Sequence, residues 1–414
     1  MKHFTFFMLF GFLSFMVKAQ ETVLELSMQP DYSQEVYLDF NSGQAQNFDV
    51  NAWDIAFYRM DSFDFGERVN DGLEIEVYEM STDPNDWNAV NPADIDEHTP
   101  QYYNADTLWN LGAFDQGGDP DDQFSFGWAD YNPSNHHLEG NTIFILAYPD
   151  GNYKQLFLKE FFGGYTFKYA DWNEDSNNWE NEQEVTISNE EGEGQLFNFY
   201  SLTNNEVVEG YPTLDNWDLV FQKYVTDLEV MMYPVQGALQ NPNVVVAVNT
   251  NANAEEADLD FSEDINTVGY DWKEFDGSSY IVDPDTYYFL KREDGTVYRF
   301  HFLSFEGAET GNFSLEYEDV TQQMDMENFD KNNAFSIYPN PTTDRNINLL
   351  YEDNRGEKGL VEIYNLMGKK IISVQLNPNG FSNHSLNLEN LSAGTYLVKF
   401  RSGKFQTTKK LILK

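Results

Sequence analysis

WDIAF, Trp53 to Phe57, returns as WDLVF, Trp217 to Phe221. Each phrase follows a strand-like aromatic stretch, VYLDF (Val36 to Phe40) in one case and FNFYSL (Phe197 to Leu202) in the other. Each precedes a second one broken by Asp-Gly, IFILAYPDGNYKQLFL (Ile143 to Leu158) and YYFLKREDGTVYRFHFL (Tyr287 to Leu303). The same elements in the same order signal an internal repeat. Tyr298, Phe300 and Phe302 alternate with Arg299, His301 and Leu303, and LEIEVYEM (Leu73 to Met80) repeats the pattern; period two is the signature of a strand with one buried face. Asp-Gly at 150–151 and 294–295 supplies the positive φ of a tight hairpin turn. No run has the period of a long amphipathic helix. These features predict an all-β body of two tandem antiparallel β-rich modules, residues 20–190 and 191–322. In each phrase Trp and Phe are expected on one face. The Asp is expected on the other, as a structural acceptor, because a duplicated acid on a duplicated core strand belongs to the scaffold. From Asp54 to Asp150 is 96 positions and from Asp218 to Asp294 is 76. The first module thus carries about 20 extra residues, placed around Asp83 to Asp122, where a private activity is expected because loops carry function.

The two ends differ from the body. Lys2, the apolar run Phe4 to Val17 and the small-residue site Val17-Lys18-Ala19 predict a signal peptide over 1–19 with Gln20 as the mature start. The run is too short to span a membrane, so no transmembrane segment is expected after cleavage. There is no cysteine, so the fold uses no disulfide, and a chain of this length has core enough without one. Residues 20–332 carry a net charge of −53 and residues 333–414 a net charge of +5. A body that acidic repels phosphate backbones and anionic membranes, which argues against nucleic acid as a partner.

Residues 335–414 follow a polar linker, 323–334, and read as a small antiparallel sandwich with turns at Met367-Gly368, Asn379-Gly380 and Ala393-Gly394. SIYPNPTTDRNINL (Ser336 to Leu349), VEIYNLMGKKIISVQL (Val361 to Leu376) and SLNLENLSAGTYLVKFRSGKFQTTKKLILK (Ser385 to Lys414) resemble, in order, the type A C-terminal sorting domain of the Bacteroidetes type IX secretion system. The resemblance implies the type IX machinery as partner and delivery outside the cell, released or held at the surface.

The body supports a second resemblance. WDIAF with VNDG (Val69 to Gly72), VGYDWKEF (Val268 to Phe275), the strand with internal Asp-Gly, and the closing GGYTFKYADW (Gly163 to Trp172) and GNFSLEYEDV (Gly311 to Val320) are similar to the HmuY-like family of secreted or surface β-proteins, some of which capture haem. The resemblance covers both modules and implies a non-enzymatic binding protein with haem or a related porphyrin as ligand.

Haem capture needs axial His or Met ligands at an apolar pocket. The candidates are His98, in the inserted stretch, the His136-His137 pair, in NPSNHHLEG before the strand at Ile143, and Met80, with Met231-Met232 as substitutes. His301 sits on a strand, and its first-module counterpart is read as Leu156. The second cofactor to test is calcium. Asp171, Asn173, Asp175 and Glu182 take positions 1, 3, 5 and 12 of an EF-hand-like loop, although Ser176 stands where Gly is needed; DQGGDPDD (Asp115 to Asp122) is a looser candidate. Nucleophile elbow, zinc helix, phosphate loop and dinucleotide motifs are all missing. A structural, adhesive or glycan-binding surface protein without haem, calcium-stabilised or not, is the alternative reading.

Overall fold

The computed structural model describes residues 21–60, 63–119, 121–189, 194–321, 333–343, 345–353, 358–365, 368–376, 380–402 and 405–414. The expected signal peptide, most of the linker, and Met367 and Asn379 of the predicted turns lie outside the described residues. The chain forms two compact units, divided after Thr321.

The first unit is built of strands β1 (Thr22–Ser27), β2 (Gln34–Asp39), β3 (Gln44–Asp49), β4 (Ile55–Tyr58), β5 (Glu67–Val69), β6 (Glu76–Ser81), β7 (Gln101–Tyr102), β8 (Ala129–Asn132) and β9 (His137–Gly140). It continues through β10 (Ile143–Ala147), β11 (Tyr153–Phe161), β12 (Gly164–Asn173), β13 (Asn178–Ser188), β14 (Phe197–Ser201), β15 (Glu206–Val208), β16 (Leu219–Asp227) and β17 (Met232–Gln240). It ends with β18 (Val244–Asn249), β19 (Lys273–Phe275), β20 (Tyr280–Val282), β21 (Tyr287–Arg292), β22 (Val297–Phe305) and β23 (Asn312–Asp319). The helices described are short 3-10 turns, so the predicted all-β class holds. No helix among the described residues is long and apolar enough to cross a membrane.

Four of the sheets stack in layers. An outer sheet ordered β1-β23-β22-β21-β18 faces an inner one ordered β17-β16-β2-β3; a second inner sheet, β15-β14-β4-β5, faces a second outer one, β13-β12-β11-β10-β6-β7, with β9 beside β11 and β8 beside β9. Three cores fill the gaps. Val36, Leu38, Leu219, Phe221, Leu290 and Phe300 fill the first, Tyr37, Ala56, Phe197, Phe199 and Val220 the central one, and Ile55, Phe57, Phe144, Leu156 and Phe167 the third. Inner strands are covered on both faces, which is why VYLDF, WDIAF, FNFYS and WDLVF read as unbroken apolar runs instead of alternating ones. In the central layer Tyr37 meets Phe48, Tyr211 and Trp217 edge to face, with ring centroids 5.6, 5.7 and 5.3 Å apart. Such pairs add about 0.5–1.5 kcal/mol each beyond the area they bury.

The pairing crosses the expected division at 190/191. VYLDF precedes WDIAF in sequence but pairs with WDLVF, Val36 opposite Phe221 and Leu38 opposite Leu219. FNFYS precedes WDLVF but pairs with WDIAF, Phe199 opposite Ala56. The amino-terminal strand β1 pairs with β23, Thr22 opposite Tyr317, and so fills beside β23 the place that β13 fills beside β12. One half of the body is therefore a continuous stretch, residues 53–208, here called the central half. The other, the terminal half, is assembled from residues 22–49 and 217–320.

The Trp-Asp phrase also departs from expectation in its geometry. The chain bends at Asp54 and at Asp218, just before each strand, so Trp53 and Trp217 join the central layer, while Phe57 and Phe221 enter the two outer cores. Trp and Phe are thus on opposite sides of their sheet. The bend is fixed in the same way in both halves. The Asp54 and Asp218 amides donate to the Tyr200 and Leu38 carbonyls at 2.9 and 2.7 Å. Asn70 Nδ2 donates to the Val50 and Trp53 carbonyls, and Asn241 Nδ2 to those of Leu214 and Trp217. The Asp side chains are acceptors as expected: Asp218 Oδ2 takes the Phe40 amide at 2.7 Å and Asp54 Oδ2 that of Thr203 at 3.2 Å.

The bulges after Leu158 and after Phe302 align β11 with β22 and make Phe157, not Leu156, the counterpart of His301. The inserted stretch is in large part a clamp between the halves. Trp109 Nε1 donates to the Gln240 carbonyl at 2.8 Å, Thr226 Oγ1 and Asn266 Nδ2 reach Asp106 Oδ2 at 2.5 and 3.0 Å, and the Ile265 amide donates to the Thr107 carbonyl at 3.1 Å.

The second unit contains β24 (Asn333–Tyr338), β25 (Asn346–Asp353), β26 (Gly359–Asn365), β27 (Lys370–Leu376), β28 (Gly380–Asn387), β29 (Gly394–Ser402) and β30 (Phe405–Leu413). They form two sheets, β24-β25-β28 and β27-β26-β29-β30, around Phe335, Ile347, Leu349, Val361, Ile363, Val398 and Phe400. This is the expected small antiparallel β domain.

Candidate functional site

The sequence leaves clusters of phenylalanine off the core period, in SFDF (62–65), QFSF (123–126) and the pair Phe161-Phe162. The fold brings them together. Phe63, Phe65, Phe124, Phe126, Phe161 and Phe162, with Tyr131, Leu138 and His136, line a cleft of about 410 Å³ in the central half. Phe65 meets Phe126 edge to face at 5.3 Å, and Phe63 meets Phe162 at 5.7 Å. Phe63 is 64% exposed and Phe162 51%, an unusual cost in water for large aromatic rings. In the terminal half the ring at the matching end of β22, Phe305, is packed by Tyr32, Trp272 and Tyr280, so the cleft is private to the central half.

His136 stands at its edge. It takes a left-handed backbone conformation, φ +66°, in the turn between β8 and β9, where its amide donates to the Asn132 carbonyl at 2.8 Å. Its Nδ1 is 2.5 Å from the Tyr131 hydroxyl, and the Tyr131 ring stacks on Phe124. When Nδ1–H donates to the Tyr131 oxygen, Nε2 is the nitrogen left for a metal; such a second contact orients a ligating histidine. His137 is turned elsewhere. Its Nδ1 contacts the Glu160 carboxylate, and its ring stacks on Phe162, with centroids 4.4 Å apart.

Of the other expected haem ligands, His98 is a surface residue, its side chain 83% exposed, with Glu97 as its ion-pair neighbour at 3.8 Å. Met80 packs against Trp87, Val90, Ile143 and Phe157. Neither lines the cleft. His136 and His137 were legible as candidates; the phenylalanine wall and Tyr131 were missed, although Phe-x-Phe inside loop composition was the available signal.

The calcium spacing has a different meaning. Asp171 to Glu182 form a β hairpin, with Trp172 opposite Trp179 and Asn173 opposite Asn178. Asp171 pairs with Lys154 at 2.5 Å, Asn173 accepts the Asp175 and Ser176 amides, and Glu182 accepts from Trp87 Nε1 at 2.7 Å. Strand pairing spreads these side chains along the ribbon instead of around an ion. No group of three or more His, Cys, Asp or Glu side chains suited to a metal ion occurs among the described residues. In the looser candidate Asp115 is half-buried, and its Oδ2 takes the Gly112 and Glu67 amides at 2.6 and 3.0 Å. Burial pushes the carboxyls of both Asp115 and its neighbour Glu67 up, and the pair ties the insertion to β5.

These features define an all-β protein with an open aromatic cleft and a separate small C-terminal β unit. Residues 336–414 match the family model of the Secretion system C-terminal sorting domain, and residues 31–317 match that of the HmuY protein in a single span. The chain belongs to the HmuY family, and the two matches make it a secreted or cell-surface protein. Among solved structures it is similar to apo PinO from Porphyromonas gingivitis, at 11% identity and a TM-score of 0.21 over 73% of this chain and 97% of that one. It is also similar to the BSP domain of a biofilm associated protein, at 11% identity and a TM-score of 0.15 over 98% of this chain and 84% of that one. No curated protein matches.

Proposed function

We propose that this protein captures haem or a related porphyrin outside the cell, with the macrocycle between the phenylalanine walls of the cleft and His136 Nε2 facing the iron. The observation that carries the reading is the combination of an open aromatic slot of about 410 Å³ with a histidine whose other nitrogen is already held by Tyr131. The volume falls in the range of small-molecule sites. Flat aromatic walls bury a flat macrocycle, and a neutral imidazole is an ordinary axial ligand. Iron bound there supplies the coordinate bond; the protein's own residues exclude water from the ring faces and aim the imidazole. His137 beside Phe162 and Glu160 supports the cleft wall.

The test is hemin titration of the mature protein, followed in the Soret region. A saturable shift near one equivalent is expected, lost in His136→Ala and kept in His98→Ala and Met80→Leu. Protoporphyrin IX without iron still binds His136→Ala, because the aromatic walls remain. A hemin response that never saturates, or one that survives His136→Ala unchanged, overturns the assignment.

A further inference from the structure

A second cleft, of about 380 Å³, lies between strands β6, β7 and β10 of the central half and the β16–β17 hairpin of the terminal half. Its lining combines three acids, Asp71, Glu74 and Glu76, with three aromatic rings, Tyr102, Tyr103 and Tyr148, and no Lys, Arg or His is among the lining residues. Two of the rings are held by their hydroxyls. Tyr102 donates to Glu79 at 3.0 Å and Tyr148 to Asp54 at 2.8 Å, while burial first and the nearby Glu76 carboxylate second push the Tyr103 hydroxyl pKa up. A phenol that donates to a carboxylate has a more electron-rich face, which strengthens its attraction for a cation. Val225, Met232 and Pro234 supply an apolar wall from the facing hairpin. Two of the acids are already engaged: Lys223 pairs with Glu74 at 2.9 Å from outside the lining, and buried Asp71 accepts from Asn104 Nδ2 at 2.9 Å beside the Arg68 guanidinium. Glu76, which accepts only the neutral Tyr78 hydroxyl at 2.8 Å, keeps its charge for the cleft.

We propose that this cleft binds an organic cation of the alkylated ammonium class, its charge facing Glu76 and the tyrosine rings and its alkyl groups against Val225, Met232 and Pro234. Bare metal ions are poorly served by aromatic and apolar walls, and anions are repelled by the carboxylates. A methylated nitrogen meets both demands, because its charge is diffuse and its surface is apolar. Such a group occurs on choline headgroups and on methylated lysine side chains. The cleft is separate from the one lined by His136, so this assignment stands or falls independently of haem capture.

The probe is choline chloride, titrated calorimetrically into the mature protein beside its uncharged carbon isostere, tert-butylethanol. Choline is expected to bind about tenfold more tightly than the isostere, and Tyr103→Leu or Glu76→Gln to weaken it by about five- to tenfold, with melting curves confirming that both variants are folded. His136→Ala leaves choline binding unchanged. Two further arms separate the sources. Cosedimentation with phosphatidylcholine vesicles, lost in Glu76→Gln, assigns a lipid headgroup; binding of a trimethyllysine peptide without vesicle binding assigns a protein side chain. Equal affinity for choline and the isostere, absence of choline binding, or unchanged affinity in both folded variants overturns the proposal.

Discussion

Tyr148 and Arg292 stand at equivalent points of the two halves, each three residues before the glycine of an Asp-Gly turn, and each reaches the aspartate of its own Trp-Asp phrase. The Tyr148 hydroxyl donates to Asp54 Oδ1 at 2.8 Å, and Arg292 donates to Asp218 through Nε and Nη2, both at 2.7 Å. The same backbone bend is thus locked by a hydroxyl-to-carboxylate hydrogen bond in the central half and by a partly buried ion pair in the terminal half, where Arg292 also contacts Asp39.

The two locks should respond differently to loss of charge. In Asp218→Asn the amide keeps an acceptor for Phe40 but leaves Arg292 with one buried counter-ion fewer, which costs about 3 kcal/mol. In Asp54→Asn the partners are hydroxyls and an amide, none of them left as an unpaired charge, and about 1.5–2 kcal/mol is lost. Urea unfolding of the two variants checks the order; equal losses contradict it.

The crossed pairing makes the amino-terminal hairpin part of the terminal half. Without residues 20–49, β23 loses β1 and β16 loses β2, so two ladders and the Val36, Leu38 and Phe40 side chains of the core disappear together. A chain lacking 20–49 is expected to lose its cooperative calorimetric transition. A chain lacking 333–414 is expected to keep the transition of the body, because the sorting unit has a core of its own.

The sequence carried the strands but not their partners. WDIAF and WDLVF mark real core elements because local composition decides which segments are buried. Which hairpin each one pairs with depends on contacts between residues such as Leu38 and Leu219, and no local pattern encodes a pairing over that separation. The calcium spacing is ambiguous for a related reason: Asp171, Asn173 and Asp175 are spaced alike in a metal loop and in a hairpin, and it is the pairing of Trp172 with Trp179 that makes this segment a hairpin. At the cleft His136 was visible as a residue type. Its left-handed backbone and its contact with Tyr131 were not, because both arise from the β8–β9 turn.

Tyr131 is read as a positioning residue for His136. Tyr131→Phe keeps the ring stacked on Phe124 and removes only the hydroxyl at Nδ1. Loss of such a second contact typically weakens metal affinity about 10- to 100-fold. Hemin affinity is expected to fall toward the low end of that range while affinity for iron-free protoporphyrin IX stays constant. A parallel loss of both assigns Tyr131 to the wall alone.

Glu35 gives the body a pH dependence. It is 3% exposed on β2, and burial pushes its pKa up to about 8, with the Trp53 indole and the Tyr211 hydroxyl offsetting only part of that. The folded protein therefore holds a proton here that the unfolded chain releases near its ordinary value of about 4.3. Between those two values the native state binds more protons than the unfolded state, so stability from this group is full below the lower value and falls as pH rises, by about 1.4 kcal/mol per unit, until it levels off near pH 8. In Glu35→Gln the side chain is neutral at every pH and keeps an amide oxygen beside Trp53 and Tyr211. The variant is expected to match the parent near pH 4 and to exceed it by on the order of 5 kcal/mol at pH 8, measured as the difference in unfolding free energy across that window. Because Glu35 lies beside Trp53 in the layer between the halves, a parent protein whose stability does not decline relative to Glu35→Gln over this range would mean that the carboxyl is hydrated and the central layer open to water.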